Sequence, residues 1–179
     1  MRDKHVLGMA VFLGSEAVFF LFLIVAYVYF RGAPTTGPTA RSALDPRVTA
    51  LYTVALLASS ATIWRASVQA KRARSASAWV LASAVLGTVF LVGQGREYAR
   101  LLGENVRVSR DLFGTTFFTL TGFHGFHVLV GVVMLMLIWV VARVDGTVPR
   151  GLDAVALYWH FVDVIWLLIF GIVYVRPFV

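Results

Sequence analysis

His124 and His127 stand three residues apart in an apolar run, and His160 and Asp163 repeat that spacing in a later one, flanked by Trp159 and Trp166. Helical residues three apart share a face, so each run would present two polar groups together. Two imidazole-bearing faces on consecutive helices could bind iron, copper or zinc, or a haem. The same residues could instead form an interhelical hydrogen-bond network in which Asp163 orients an imidazole and nearby Ser and Thr hydroxyls complete the set. Spacing alone leaves both readings open, and the network asks less of the sequence. Glu16 is the one charged residue in the first apolar run. An anion is costly in hydrocarbon, so the expectation is a neutral acid that donates a hydrogen bond. Such a group serves either as a proton-linked carboxyl or as a pin between two helices. Glu97 lies beside Arg96 and within a turn of Arg100, which points to an interfacial ion pair; the alternative is an inward-facing partner for the histidines. No catalytic triad or zinc-protease motif occurs. The glycines of Gly93 to Tyr98 follow a hydrophobic helix rather than a strand, so they are no phosphate loop.

The elements that carry these residues are five apolar segments, each of about the 20 residues a bilayer crossing requires. We place the helices at about 6–30, 48–70, 75–99, 112–142 and 154–175 within a single transmembrane domain covering 1–179. The fold class is therefore all-α, an integral membrane bundle of five transmembrane helices. Barrel strands would need only about ten alternating residues. The fourth run spans about 46 Å at about 1.5 Å per residue, more than the roughly 30 Å hydrocarbon core, so it must tilt, kink or protrude. Gly122, Gly125 and Gly131 are available for a bend or a close helix contact. Arg31 to Arg47, with its prolines and glycines, reads as an irregular loop, and Lys71 to Arg74 as a compact basic turn. Arg65 snorkels if the second helix continues past it.

Composition agrees. The chain is 59% hydrophobic and only 14% charged, too few charges to cover a soluble surface of this size. The net charge of +7 sits in the gaps between apolar runs, where it meets lipid headgroups rather than nucleic acid. There are no cysteines, which excludes disulfides, thiolate metal sites and cysteine nucleophiles. The first run is too long for a signal-peptide core and ends at Tyr27 to Arg31 without a small-residue cleavage site, so it reads as retained. Five crossings divide the basic residues eight to each side, and only the dense cluster at Lys71 to Arg74 tips the balance towards a cytoplasmic N-terminus.

Phe113-Gly-Thr-Thr-Phe-Phe-Thr-Leu-Thr-Gly-Phe-His-Gly-Phe-His-Val-Leu-Val-Gly131 and Tyr158-Trp-His-Phe-Val-Asp-Val-Ile-Trp166 resemble two stretches of cytochrome c oxidase subunit III. Gly14 to Phe20 is similar to the helix carrying that family's buried glutamate, and Leu56 to Ser60 and Glu97-Tyr98 follow in the right order. The resemblance implies a non-catalytic subunit of a haem–copper terminal oxidase, an enzyme complex that reduces oxygen to water and pumps protons. It implies direct packing on subunit I, the company of subunit II and small subunits, and no nucleic acid. Haem and copper would lie in the partner subunits, with no redox metal and no catalytic residue on this chain, which favours the network reading of His124, His127, His160, Asp163 and Glu97. Glu16 takes the position of the buried carboxyl. The family's implied tasks are to sustain proton uptake and stability of the catalytic subunit and to hold structural phospholipid. Longer members have seven helices, and this sequence corresponds to the last five. The implied location is a bacterial-type inner membrane, N-terminus cytoplasmic and C-terminus outside. Subunit III of a quinol oxidase and a nitric-oxide-reductase-associated relative are the alternatives within the fold. An autonomous haem protein and a proton-coupled transporter built round Glu16 are the alternatives outside it.

Overall fold

The computed structural model describes residues 2–31, 40–72, 74–104, 106, 112–144 and 151–177. Among them the elements are α1 (Arg2–Arg31), α2 (Ala40–Ala43), α3 (Pro46–Lys71), α4 (Ser77–Gly103), α5 (Leu112–Val144) and α6 (Leu152–Phe170), with a widened helical turn at Gly171–Val175. Among the described residues all regular structure is helical. By length and composition α1, α4, α5 and α6 with its wide turn can each cross a membrane. The fifth long helix, α3, carries Thr49, Thr53, Ser59, Ser60, Thr62 and Ser67 and is less apolar.

Several boundaries move from the sequence expectation. The segment expected as a loop from Arg31 to Arg47 contains the turn α2, whose Ala40 and Ala43 are buried; residues 32–39 lie outside the described residues. α3 starts at Pro46 rather than 48 because Asp45 caps it: its Oδ1 accepts from the backbone N–H of Arg47 at 3.0 Å and of Val48 at 3.4 Å. Proline then suits the first turn, where its missing N–H costs nothing. α3 also runs through Arg65, whose guanidinium sits 5.6 Å from the Trp79 ring on α4, a cation over an aromatic face. Of the expected basic turn, Ala73 lies outside the described residues. The last helix, expected over 154–175, begins at Leu152 and changes pitch at Gly171, where the Arg176 N–H donates to the Gly171 carbonyl at 2.9 Å. That five-residue span widens the coil.

Helix α5 is continuous for 33 residues, about 50 Å, and among Gly122, Gly125 and Gly131 it is Gly131 that makes the close contact. A Cβ at Gly131 would stand 2.7 Å from the Trp159 ring, and one at Gly87 on α4 would stand 2.5 Å from it. Trp159 is therefore seated in a slot that two glycines open, and it is fully buried. A Cβ at Gly125 meets nothing within 4 Å. In the bundle, α3, α4, α5 and α1 follow one another as neighbours, and α6 packs against α3, α5 and α1. The helix last in sequence is thus the common core element, and its indoles at Trp159 and Trp166 are shielded on all sides.

Candidate functional site

Glu16 meets His127. Midway along α1 its Oε2 lies 3.0 Å from Nε2 of His127 on α5, with both side chains mostly buried. The other ring nitrogen, Nδ1, lies 2.8 Å from the carbonyl oxygen of Phe123. A carbonyl only accepts, so Nδ1 carries a proton. One further proton then lies between Nε2 and Oε2: on Glu16 it gives a neutral acid facing a neutral ring, and on His127 it gives an ion pair. In both cases the pair is neutral overall, and so is admissible inside a membrane bundle. The pair is held from two sides. Tyr158 on α6 donates to the His127 carbonyl at 2.9 Å, and Phe20, one turn along from Glu16, sets its ring edge-on to the imidazole at 5.0 Å.

His124, on the next turn of α5, has a different environment. It is buried, and neither ring nitrogen has a hydrogen-bond partner among the described residues. It stacks on Trp166 with ring centroids 4.9 Å apart, and Phe90 and Phe20 close the cage edge-on. The expected network therefore separates at α5: His127 belongs to the carboxyl pair, and His124 to an aromatic cluster.

His160 and Asp163 on α6 also part company. Nδ1 of His160 bonds the Ser60 hydroxyl on α3 at 2.7 Å, so Ser60 takes the place expected for Asp163. The carboxyl of Asp163 is buried without a hydrogen bond among the described residues, although it is close enough to feel Ser60. Glu97 does not reach the histidines. Its side chain is 9% exposed and 3.8 Å from the Arg100 guanidinium. It accepts from Tyr174 in the wide turn at 2.7 Å and from Thr49 at 3.3 Å. The expected partner Arg100 is present, and two hydroxyls are added.

Sequence reasoning missed the matching of α3 to α6. The indole N–H of Trp159 donates to Ser59 at 2.8 Å and that of Trp166 to Thr53 at 2.9 Å. With Ser60 to His160 beside them, contacts ascend α3 as they descend α6, which makes the helices antiparallel neighbours. The available signal was spacing: Thr53 and Ser59 stand six residues apart on α3, close to the seven that separate Trp159 and Trp166 on α6. Each N–H inside a membrane bundle needs an acceptor, and α3 supplies them. Its lower hydropathy follows from that inward-facing hydroxyl row. Cross-links between Thr62 and Ser83 at 2.7 Å and between Tyr98 and Thr121 at 2.6 Å tie α4 to its neighbours in the same way.

As a set, these residues can share a proton at Glu16–His127 and fix helix registers elsewhere. Among the described residues, no three His, Cys, Asp or Glu come together in a way that could hold a metal ion. Comparison with known proteins supplies the context. The sequence profile of the family described as cytochrome c oxidase subunit III matches residues 2–177. Cytochrome c oxidase subunit 3 of Thermostichus vulcanus is 35% identical over 97% of this chain and 88% of the relative. That of Synechocystis is 32% identical over 96% of this chain and 76% of the relative. That of Marchantia polymorpha is 35% identical over 93% of this chain and 66% of its own length. A match that takes in every helix from α1 to α6, with about a third of residues identical, leaves one assignment: the chain belongs to the cytochrome c oxidase subunit III family.

Proposed function

We propose that this protein is the non-catalytic subunit III of a haem–copper terminal oxidase that takes electrons from cytochrome c, reduces oxygen to water and pumps protons. The observation that carries the reading is the family match over residues 2–177. The chain packs directly on subunit I, with subunit II and small subunits completing the complex, and haem and copper belong to those partners. Structural phospholipid fills its rim. It sits in a bacterial-type inner membrane as one domain, with the N-terminus cytoplasmic and the C-terminus outside.

Five crossings follow if α3 spans the membrane, and its pairing with α6 supports this. A helix joined to α6 at Trp159, His160 and Trp166 lies alongside it for most of its length. At 26 residues, or about 39 Å, α3 is long enough. Glu16 and His127 are the proton-linked pair. Their shared proton supports a role in sustaining proton uptake by subunit I, and the remaining polar contacts support a role in stability.

The test is to tag the chain, extract it in mild detergent and identify what co-purifies. A larger haem–copper subunit in stoichiometric amount, in a preparation that oxidises reduced cytochrome c, is the expected result. A solitary chain from gentle extraction overturns the proposal.

A further inference from the structure

Where the start of α3 meets the end of α4, the two helices part around a cavity of about 260 Å³, whose lining includes Asp45, Val48, Tyr52, Arg96, Glu97 and Arg100. One wall is a close approach: a Cβ at Gly93 would collide with the Tyr52 ring, so the ring rests on bare backbone of α4. The charges around the cavity are not equally engaged. Arg100 donates from Nη1 to Glu104 at 3.1 Å and from Nη2 to the Ala43 carbonyl at 2.7 Å, with Glu97 3.8 Å away. Arg96 is exposed and makes no hydrogen bond or ion pair among the described residues. Asp45 uses Oδ1 to cap α3, and its Oδ2 accepts no hydrogen bond among the described residues. Arg96 and Asp45 line one cavity without pairing, so the site keeps a spare cation and a spare anion on neighbouring helices.

Depth decides what can reach them. Helix α4 has 27 residues, about 40 Å, against a hydrocarbon core of roughly 30 Å. Arg96 lies about 11 Å before its end at Gly103, which sets the cavity in the headgroup layer. Towards the membrane interior, Val92, Val89 and Val85 continue the face of Arg96 at helical spacing, and all three are exposed. A hydrocarbon track therefore leads out of a polar cavity. A free anion would meet Arg96 but leave Asp45 and the track unanswered. A phosphodiester matches a guanidinium through charge-assisted hydrogen bonds, an ammonium in the same headgroup matches Asp45, and an acyl chain covers the valines.

We propose that this cavity holds the headgroup of a membrane phospholipid with a primary ammonium, its phosphate on Arg96 and its ammonium on Oδ2 of Asp45. The ammonium is primary because Oδ2 is an acceptor and a quaternary nitrogen has no N–H to give it. Basic pockets between membrane helices take lipid headgroups for the same electrostatic reason. The inference rests on the reading that phospholipid fills the rim, and adds to it a place and a headgroup class.

The test puts a photo-crosslinking residue at Val92 in the purified complex, reconstituted into vesicles of equal parts phosphatidylethanolamine and phosphatidylglycerol. The expected adduct is phosphatidylethanolamine, several-fold over its share of the vesicle. Arg96→Gln and Asp45→Asn are each expected to bring the adducts back to the bulk ratio at unchanged yield and helicity, since Arg96 holds no contact within the chain and asparagine caps a helix as aspartate does. Adducts at the bulk ratio in the unsubstituted complex, or a preference that both variants retain, overturn the headgroup site and leave the lipid-rim reading standing. Adducts with polypeptide alone remove lipid from this face, and the rim reading falls here together with the site.

Discussion

At the scale of single residues, Glu16 and His127 define a proton position more narrowly than burial alone could. Because Nδ1 is committed to the Phe123 carbonyl, Glu16→Gln can still donate from its amide to Nε2. That variant is expected to assemble and to melt with the unsubstituted complex in a detergent thermal-shift assay. Glu16→Leu strands the Nε2 nitrogen and is expected to cost about 1–3 kcal/mol, the penalty for an unsatisfied buried group. Failure of Glu16→Gln to assemble would mean that Glu16 acts as an ionised partner. The glycines give a second test. Gly131→Val and Gly87→Val drive a side chain into Trp159 and are expected to cost about 1–3 kcal/mol by overpacking, whereas Gly125→Ala meets open space and is expected to stay within about 0.5 kcal/mol. The identities of Glu16, His127 and Glu97 were legible in the sequence because charges and imidazoles are rare in apolar runs. Their partners were not: neither Tyr174 nor Thr49 announces itself as the partner of Glu97, since Tyr174 lies in the wide turn after Gly171 and Thr49 arrives from another helix.

At the scale of elements, the pairing of α3 with α6 is the feature that hydropathy hides. Thr53→Val and Ser59→Ala each orphan an indole N–H and are each expected to cost about 1–3 kcal/mol. Combining Thr53→Val with Trp166→Phe removes donor and acceptor together, so the double variant is expected to lose less than the sum of the two singles, a coupling that a double-mutant cycle reads directly. Strict additivity would show that the Trp166 to Thr53 bond is dispensable. The long apolar helices α1, α4, α5 and α6 were readable from composition because nothing but a bilayer accounts for them. The start of α3 was misplaced by two residues because proline was counted as a loop signal, when behind Asp45 it opens a helix. The expected Asp163–imidazole bond failed for a related reason: three-residue spacing aligns two side chains on a face but says nothing about the Ser60 hydroxyl arriving from another helix.

At the scale of the whole molecule, the absence of cysteine makes topology directly measurable. Single cysteines at Lys4 and Arg72 are expected to be shielded from an impermeant thiol reagent in intact cells, and those at Arg41, Glu104 and Arg176 to be labelled. Labelling of Arg41 and Arg72 together would place both ends of α3 on one side and reduce the crossings to four. The packing order carries a further consequence, for how the protein is made. Helix α6 is the shared neighbour of α1, α3 and α5 and the one that fills the glycine slot, yet the ribosome delivers it after all of them. Until it inserts, hydroxyls on α3 have no indoles to meet and the slot between α4 and α5 is empty. Biogenesis therefore has a late commitment point. Chains cut short before Leu152 are expected to be turned over faster in a pulse-chase than chains that carry α6.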